Sequence, residues 1–403
     1  MAAALEYPPA RPGPSKQLTD QDFHSGTQLA RINELIQELQ AQNPEEYENP
    51  EFSQAKDLIF SLLSQVQQSD GKLAPADCYR LLSGGVQQGT VHVEGTTLDP
   101  LSPGLDYDTS FTLLVPVLNV HEEPVTLDMT ESPTGYTRIS LEDFDEPTQQ
   151  LWAECICGEE AFLCAELVSR WFSRSFSAVA KDLRIELRGR VTSVIVCVGS
   201  YRVLYDILPV VTFWGWPETA HQWLMEEHFW DGKLRDEDVI AGFYLFPSAF
   251  TSEWQLAFSA SELHLRRLFP PPLWWSLRAI TPVIPWSGLP GLEPYHLFTL
   301  ALWYCERLPS SYPTEELDAA HVLLHILDDL TATLAGRCLP NYFLPQWNLL
   351  QELSPSVTRP MAWAVAQVRA DPAGYLQRAV EEAEELKQQA EAYRCTLTTP
   401  TDP

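Results

Sequence analysis

Basic side chains are scarce in this chain. Only 26 lysines and arginines stand against 55 aspartates and glutamates among 403 residues, which gives a formal net charge of −29. A surface of that sign repels phosphate backbones, which provide most of the affinity of proteins for nucleic acids. Duplex DNA, RNA and anionic membranes are therefore not expected as general partners, although net charge does not exclude a local basic patch.

Long hydrophobic runs are also missing. The most apolar region, residues 191–216, is interrupted by Arg202, Asp206 and Pro209, whereas a membrane-spanning helix needs about 20 apolar residues. We interpret this region as two buried strands and expect no transmembrane segment. The N-terminus does not show a basic segment followed by an apolar one, so no secretory signal is predicted.

Cysteine spacing typical of a zinc site is absent as well. The one cluster among the eight cysteines, Cys155, Cys157 and Cys164, has neither a standard spacing nor a well-placed fourth ligand. Without a secretory signal, the cysteines are expected to be reduced thiols. The predicted location is therefore the cytoplasm, with the nucleus as the alternative.

The chain nevertheless contains ample material for a large core, because 45% of its residues are hydrophobic. Helical spacing of apolar residues predicts helices at 19–41 and 51–68, and alternating patterns predict strands between about 106 and 211. Beyond about residue 253 the pattern becomes helical, with helices predicted at 260–269, 295–308, 318–336 and 371–394. The predicted fold class is α+β, with a mixed-sheet catalytic lobe and a C-terminal helical lobe. The predicted divisions are a disordered Pro-rich tail at 1–18, the sheet lobe at 19–252, the helical lobe at 253–395 and a tail at 396–403.

Three aspartates lie where strands are predicted. Asp106 and Asp108 are two residues apart, so both side chains share one strand face, and Asp206 lies within the apolar segment YDILPVV. Unpaired carboxylates on an apolar face are costly, and a divalent cation such as Mg²⁺ is a favourable partner. The upstream Ser-Gly-Gly turn at 83–85 offers backbone N–H groups to phosphate oxygens.

Each of these features alone has an ordinary explanation. A D-x-D pair is often a solvated strand end, two glycines are often a plain turn, and a lone strand aspartate can cap a neighbouring loop. In this order they are the parts of a nucleotidyl transferase. Two metal ions in such a site activate a ribose hydroxyl and stabilise the leaving pyrophosphate.

The segments around these residues resemble the Mab-21 / cGAS-like nucleotidyltransferase family over about residues 20–390. The resemblance is carried by YDTSFTLLVP, LYDILPVVTFWGWPETAHQWL, GFYLFPSAFTSEWQLAFSASE, PYHLFTLALWYCERLP and LPNYFLPQWNLL. It implies a protein that binds Mg²⁺ or Mn²⁺ and nucleoside triphosphates. The implied metal ligands and catalytic residues are Asp106, Asp108 and Asp206. The implied nucleotide contacts are Ser83, Gly84 and Gly85 at the phosphates, Gln255 at a purine edge and Tyr295 against a base. Tyr295 is equally well explained as a packing residue at a helix start.

The chain also departs from the family pattern. Gly85 stands where active relatives usually carry a serine, and Pro294 stands where cGAS has a serine that touches phosphate. The loop at 86–105 is longer than in cGAS. Cations for a triphosphate are few, with only Arg278 well placed upstream of the helical lobe. No cysteine lies in the segment that corresponds to the cGAS zinc thumb, so neither a zinc thumb nor binding of duplex DNA is expected.

Two hypotheses of different class follow. The first is a metal-dependent nucleotidyltransferase of unknown trigger and product, which the intact aspartate triad favours. The second is a catalytically silent signalling scaffold that binds protein partners, which the altered phosphate turn and the scarcity of cations favour.

Overall fold

The structure is a computed structural model. It describes residues 24–42, 50–83, 107, 109–120, 127–129, 132–158, 161–199, 201–240, 242–248, 253–284, 289, 291–312 and 317–398. Asp106, Asp108, Gly84 and Gly85 lie outside these residues.

Nine strands of the described residues form one mixed sheet, in the order β1-β2-β9-β10-β11-β4-β3, with β8 also paired to β9 and β7 to β8. A separate hairpin is formed by β5 and β6. The strands are β1 (Arg80–Ser83), β2 (Thr109–Val120), β3 (Leu127–Asp128), β4 (Tyr136–Ile139), β5 (Ile156–Cys157), β6 (Phe162–Leu163), β7 (Arg184–Arg188), β8 (Val191–Val198), β9 (Tyr201–Trp214), β10 (Gly242–Pro247) and β11 (Trp254–Ala257).

Strand β9 is the centre of this sheet. On one side β2 runs parallel to it. On the other side β8 pairs antiparallel with residues 201–207 and β10 with residues 211–214. The sequence of β9 is rich in β-branched and aromatic residues and is buried along most of its length, as expected of a strand covered on both faces.

The two faces of the sheet differ. On β9, Tyr205 and Ile207 belong to the main core, against which α2 and α4 pack. Leu208 and Val210 belong instead to a smaller apolar cluster, and side-chain alternation places that cluster on the opposite face. Its members are Leu82, Leu114, Val191, Leu208, Val210, Phe246 and Ala257. We call the face that carries this smaller cluster the Asp206 face, because Asp206 has the same parity along β9.

Helices account for most of the rest of the described residues. They are α1 (Gly26–Gln42), α2 (Pro50–Asp70), α3 (Glu146–Trp152), α4 (Ala165–Val179), α5 (His221–Leu224), α6 (Asp236–Val239), α7 (Ser259–Arg267), α8 (Pro271–Val283), α9 (Pro294–Glu306), α10 (Ala319–Gly336), α11 (Pro355–Ala370) and α12 (Pro372–Thr398). From α7 onward the chain is helical, so the predicted plan of a mixed sheet followed by a helical lobe is confirmed. The described helices include none that is long and apolar enough to cross a bilayer.

The N-terminal helix does not pack where the predicted divisions place it. The predicted sheet lobe includes α1, yet α1 packs against α8, α10 and α12. The Asn33 side chain donates to Oδ2 of Asp318 at 2.7 Å and accepts from the backbone N–H of Ala320 at 2.9 Å, which attaches α1 to the start of α10. The predicted division at 252/253 falls between β10 and β11, which pair with each other in the sheet.

An aromatic cluster joins the sheet to the helices. The connection between β9 and β10 contributes Trp216 and Trp223, whose rings lie 5.4 Å and 5.0 Å from the ring of Phe343. Farther along, the Trp230 indole N–H donates to the hydroxyl of Tyr342 at 2.6 Å. These contacts explain several of the chain's many tryptophans, because large aromatic side chains stabilise an interface through buried area and ring geometry.

Candidate functional site

Asp206 lies in the middle of β9, in a row of polar residues that crosses the sheet. Its register partners are Thr112 on the parallel strand β2 and Ser193 on β8, and Ser193 in turn faces Glu186 on β7. Asp206 is 1% exposed, Ser193 3% and Thr112 1%. The Ser193 hydroxyl donates to Oδ1 of Asp206 at 2.6 Å. This row therefore places a buried carboxylate, held by one serine, on the Asp206 face.

The electrostatics of Asp206 are set by burial. Removal from water raises the pKa of its carboxyl group, and the hydrogen bond from Ser193 and the positive charge of Arg188 only partly oppose this. A buried carboxylate of this kind gains much from a cation. Arg188 is already paired with Glu186, whose Oε2 lies 3.2 Å from Nη2 of the arginine.

The donor chemistry of Asp206 suits Mg²⁺ or Mn²⁺, which prefer carboxylate oxygen. Within the described residues, no three potential ligands group together. The other two expected ligands, Asp106 and Asp108, lie outside those residues. The described strand β2 begins at Thr109 and runs parallel to β9. Its first residue thus follows Asp108 directly in the sequence.

The predicted nucleotide contacts are spread over three elements. Gln255 lies on β11, is 1% exposed, and shares its parity with Ala257 of the smaller cluster, which places it on the Asp206 face. Ser83 is the last residue of β1 and pairs with Phe111 of β2, while Gly84 and Gly85 lie outside the described residues. Only Gln255 can therefore be placed on the same face as Asp206.

Tyr295 lies in the first turn of α9 and is 5% exposed. Its hydroxyl donates to Oε1 of Glu262 on α7 at 2.7 Å and accepts from the Asn341 side chain at 3.3 Å. Burial and the neighbouring Glu262 carboxylate raise the pKa of Tyr295 well above its ordinary value. These contacts give Tyr295 a packing role, and its predicted role against a base stays a prediction.

Comparison with known proteins gives the family. Residues 108–265 match the Mab-21 protein nucleotidyltransferase domain, and residues 286–367 match the Mab-21 protein HhH/H2TH-like domain. The chain is also similar to transmembrane protein 102 of Mus musculus, at 30% identity over 93% of this chain and 94% of that protein. Transmembrane protein 102 of Bos taurus is 30% identical over 94% of each chain.

This chain belongs to the Mab-21 family. The resemblance inferred from the sequence is thereby confirmed. The match to the Mab-21 nucleotidyltransferase domain includes Asp108, Asp206 and Gln255, and Tyr295 falls within the match to the second domain. Asp106 and the turn at 83–85 precede the first match.

Sequence inspection of this Mab-21 protein missed the cations of the β7–β8 hairpin. Arg184 and Arg188 both pair with Glu186. Nη2 of Arg190 lies 3.6 Å from Oε2 of Glu166, and Nε of Arg190 donates to the backbone carbonyl of Ser248 at 2.6 Å. The alternation of arginine and glutamate along β7 is visible in the sequence. That Arg188 lies near Asp206, however, follows only from the register of β7, β8 and β9. Arg278, the cation expected from the sequence, lies on α8.

Proposed function

We propose that this Mab-21 protein binds a divalent cation and a nucleoside triphosphate on the Asp206 face, as a nucleotidyltransferase-like protein. The proposal rests on the buried carboxylate of Asp206, which lies on the central strand β9 and accepts a hydrogen bond from Ser193 on β8. Both residues lie within the match to the family's nucleotidyltransferase domain. Asp106, Asp108 and Asp206 would hold Mg²⁺ or Mn²⁺. The ion, when bound, would supply positive charge for the triphosphate and for the developing charge of phosphoryl transfer.

We expect the isolated chain to turn over little or no substrate. A triphosphate needs positively charged donors, and Arg188 and Arg190 are each already engaged with a glutamate. A partner that supplies charge, or that reorders the loop at 86–105, would complete the site, since ordering of a loop by a ligand is a common way to assemble an active site.

The test is a product assay with purified full-length chain, ATP, GTP and Mg²⁺ or Mn²⁺. Little or no oligonucleotide is the expected result. The control is the double variant Asp106→Ala and Asp108→Ala, in which any genuine activity should vanish. Robust turnover by the wild-type chain alone, lost in the double variant, would refute the expectation of low activity and establish an enzyme.

The second candidate is a catalytically silent scaffold in signalling, in the cytoplasm or nucleus. It is favoured by Tyr295, whose ring is buried and whose hydroxyl is engaged with Glu262, so that stacking on a base would require it to leave its packed position. The same double variant separates the two functions in cells. A scaffold keeps its cellular effect when Asp106 and Asp108 are replaced, whereas an enzyme loses it.

A further inference from the structure

The connection between β9 and β10 contains a buried histidine that contacts the C-terminal end of α9. The His228 side chain is 8% exposed and that of Glu306, the last residue of α9, is 11% exposed. Nδ1 of His228 lies 3.0 Å from Oε1 of Glu306, and Nε2 lies 2.8 Å from the backbone carbonyl oxygen of Trp223. Both ring nitrogens therefore face oxygen atoms.

These partners determine the protonation of the ring. The carbonyl of Trp223 can only accept a hydrogen bond, so Nε2 carries a proton. Glu306 also accepts from the hydroxyl of Tyr342 and from the backbone N–H of Phe229, at 3.2 Å for the latter. Several donors directed at one carboxylate fit its ionised form, so Nδ1 also donates. His228 is then an imidazolium paired with a carboxylate.

The surroundings favour this charge. The ring stacks on Trp223, with centroids 4.1 Å apart and planes 18° apart, and an indole face attracts a cation. The carboxyl-terminal end of α9 carries a partial negative charge. Asp231 accepts from the backbone N–H of His228 at 2.8 Å. Burial by itself lowers the pKa of His228, but Glu306, the Trp223 carbonyl and Asp231 outweigh it and raise the pKa above 6.5.

The titratable groups near the pair come from three elements. The β9–β10 connection contributes Asp231 and Lys233, α9 contributes Cys305, and the segment after α10 contributes Tyr342. Burial lowers the pKa of Lys233, against the opposing influence of Cys305 and Glu306. Burial and Glu306 raise the pKa of Tyr342, and burial raises that of Cys305. Tyr342 and Cys305 are therefore neutral at physiological pH, whereas the ordinary pKa of histidine lies close to that range.

We propose that His228 and Glu306 form a proton-controlled latch that fastens the β9–β10 connection to the end of α9. The latch is closed while His228 carries both ring protons, and it loosens when the ring loses one. The folded protein holds this proton more tightly than the unfolded chain does. The latch therefore contributes its full stability below the ordinary pKa of histidine and loses it as the pH rises through the folded pKa. The latch is independent of the aspartates and of the proposed function.

The direct test is a side-chain NMR titration of the nine histidines in the full-length chain, with His228 assigned from the spectrum of His228→Gln. In the wild type, His228 should titrate above 6.5. In Glu306→Gln, which keeps the shape of the side chain but removes its charge, the pKa of His228 should fall, because only the Trp223 carbonyl and Asp231 then oppose the effect of burial. A His228 that titrates at or below 6.5 in the wild type, or unchanged in Glu306→Gln, overturns the proposal.

A stability measurement tests the consequence of the latch. His228→Gln should lower the melting temperature at pH 6, and its difference from the wild type should shrink as the pH rises through the folded pKa. The matched control is His321→Gln, because His321 also contacts a carboxylate, that of Asp318 at 2.9 Å, but both side chains are exposed, at 46% and 41%. The control should show little loss at any pH. A loss in His228→Gln that does not change with pH contradicts the latch. If neither His228→Gln nor Glu306→Gln folds, the wild-type titration decides, with His228 assigned by elimination through variants of the other histidines.

Loosening should also be visible in hydrogen exchange. Amides of residues 221–233 should lose protection in the wild type as the pH rises, after correction for the intrinsic pH dependence of exchange. Unchanged protection across the titration of His228 would mean that the proton does not control the attachment of this segment.

Discussion

At the scale of single residues, two buried carboxylates each hold a neighbouring element through a hydrogen bond. Asp206 and Glu262 are each 1% exposed, and each accepts a hydroxyl hydrogen bond, from Ser193 and from Tyr295 respectively. Leaving such a group without its donor costs far more than an average hydrogen bond contributes. The sequence marks Asp206 as unusual, because it stands alone in an apolar run. It does not indicate Ser193, since strand register cannot be deduced from one strand's pattern alone.

Tyr295→Phe separates the two roles of this residue. The change removes the hydroxyl that donates to Glu262 and keeps the ring. If the hydroxyl secures α9 to α7, the free energy of unfolding should fall by about 1–3 kcal/mol, as measured by chemical denaturation. Nucleotide affinity should change little, because a phenylalanine ring stacks as well as a tyrosine ring.

The complementary change is Tyr295→Leu, which removes the aromatic ring but fills much of the same space. A role in base stacking requires this variant to lose nucleotide affinity while Tyr295→Phe keeps it. If Tyr295→Phe unfolds like the wild type, the hydrogen bond to Glu262 does not secure α9.

At the scale of elements, apolar periodicity located α1, α2, α7, α9, α10 and α12, but it missed two helices in which prolines interrupt the pattern. The unpredicted α8 begins with Pro271 and contains Pro282, and the unpredicted α11 begins with Pro355 and contains Pro360. Proline is well tolerated in the first helical turn, where its missing N–H costs nothing. The strands β10 and β11 are formed by short apolar runs, and hydrogen bonding within a sheet cannot be detected from periodicity over so few residues.

The turn before β4 contacts Trp347, so a substitution there tests whether this contact stabilises the packing of the sheet against the helical part. Gly135 has a φ of +87°, and a Cβ there would lie 2.5 Å from the ring of Trp347. Gly135→Ala should lower the free energy of unfolding by more than about 2 kcal/mol, because it adds a clash to the strain of about 1–2 kcal/mol that an L-residue meets in this conformation.

The matched control is Gly232→Ala. Gly232 has a φ of +73°, but a Cβ there would meet nothing within 4 Å. This variant therefore reports the backbone strain alone. Equal losses in the two variants, measured by urea denaturation, would show that the contact of Trp347 with this turn does not hold the parts together.

At the scale of the whole molecule, the sequence predicted the α+β plan and the family, because both depend on long patterned segments. The position of α1 could not be predicted in this way. Its apolar stripe indicates that it is buried on one side, but does not indicate whether the sheet or the helices cover it. The pairing of α1 with α8, α10 and α12 is a tertiary property. The surroundings of Asp206 are likewise only partly predictable, since the apolar run marks its burial but does not indicate its neighbour Arg188.

The net charge of −29 predicts weak binding of nucleic acid. Duplex DNA should show no salt-sensitive binding at physiological ionic strength, as measured by fluorescence anisotropy over a range of salt concentrations. Tight binding that weakens steeply with added salt, the signature of phosphate neutralisation, would reveal a basic surface that outweighs the overall charge.

The proposed role of Asp206 in a divalent metal site has a direct test in thermal melting of the full-length chain with EDTA and with millimolar Mn²⁺. Because burial raises the pKa of Asp206, its ionised form destabilises the metal-free protein at neutral pH. That penalty disappears as the pH falls below the ordinary aspartate pKa. Asp206→Asn should therefore melt above the wild type in EDTA at neutral pH.

Mn²⁺ should raise the melting temperature of the wild type by binding the folded state, and Asp206→Asn should lose most of that gain. The exposed-residue control Asp182→Asn should keep it. An equal Mn²⁺ shift in the wild type and in Asp206→Asn would show that Asp206 is not part of a metal site.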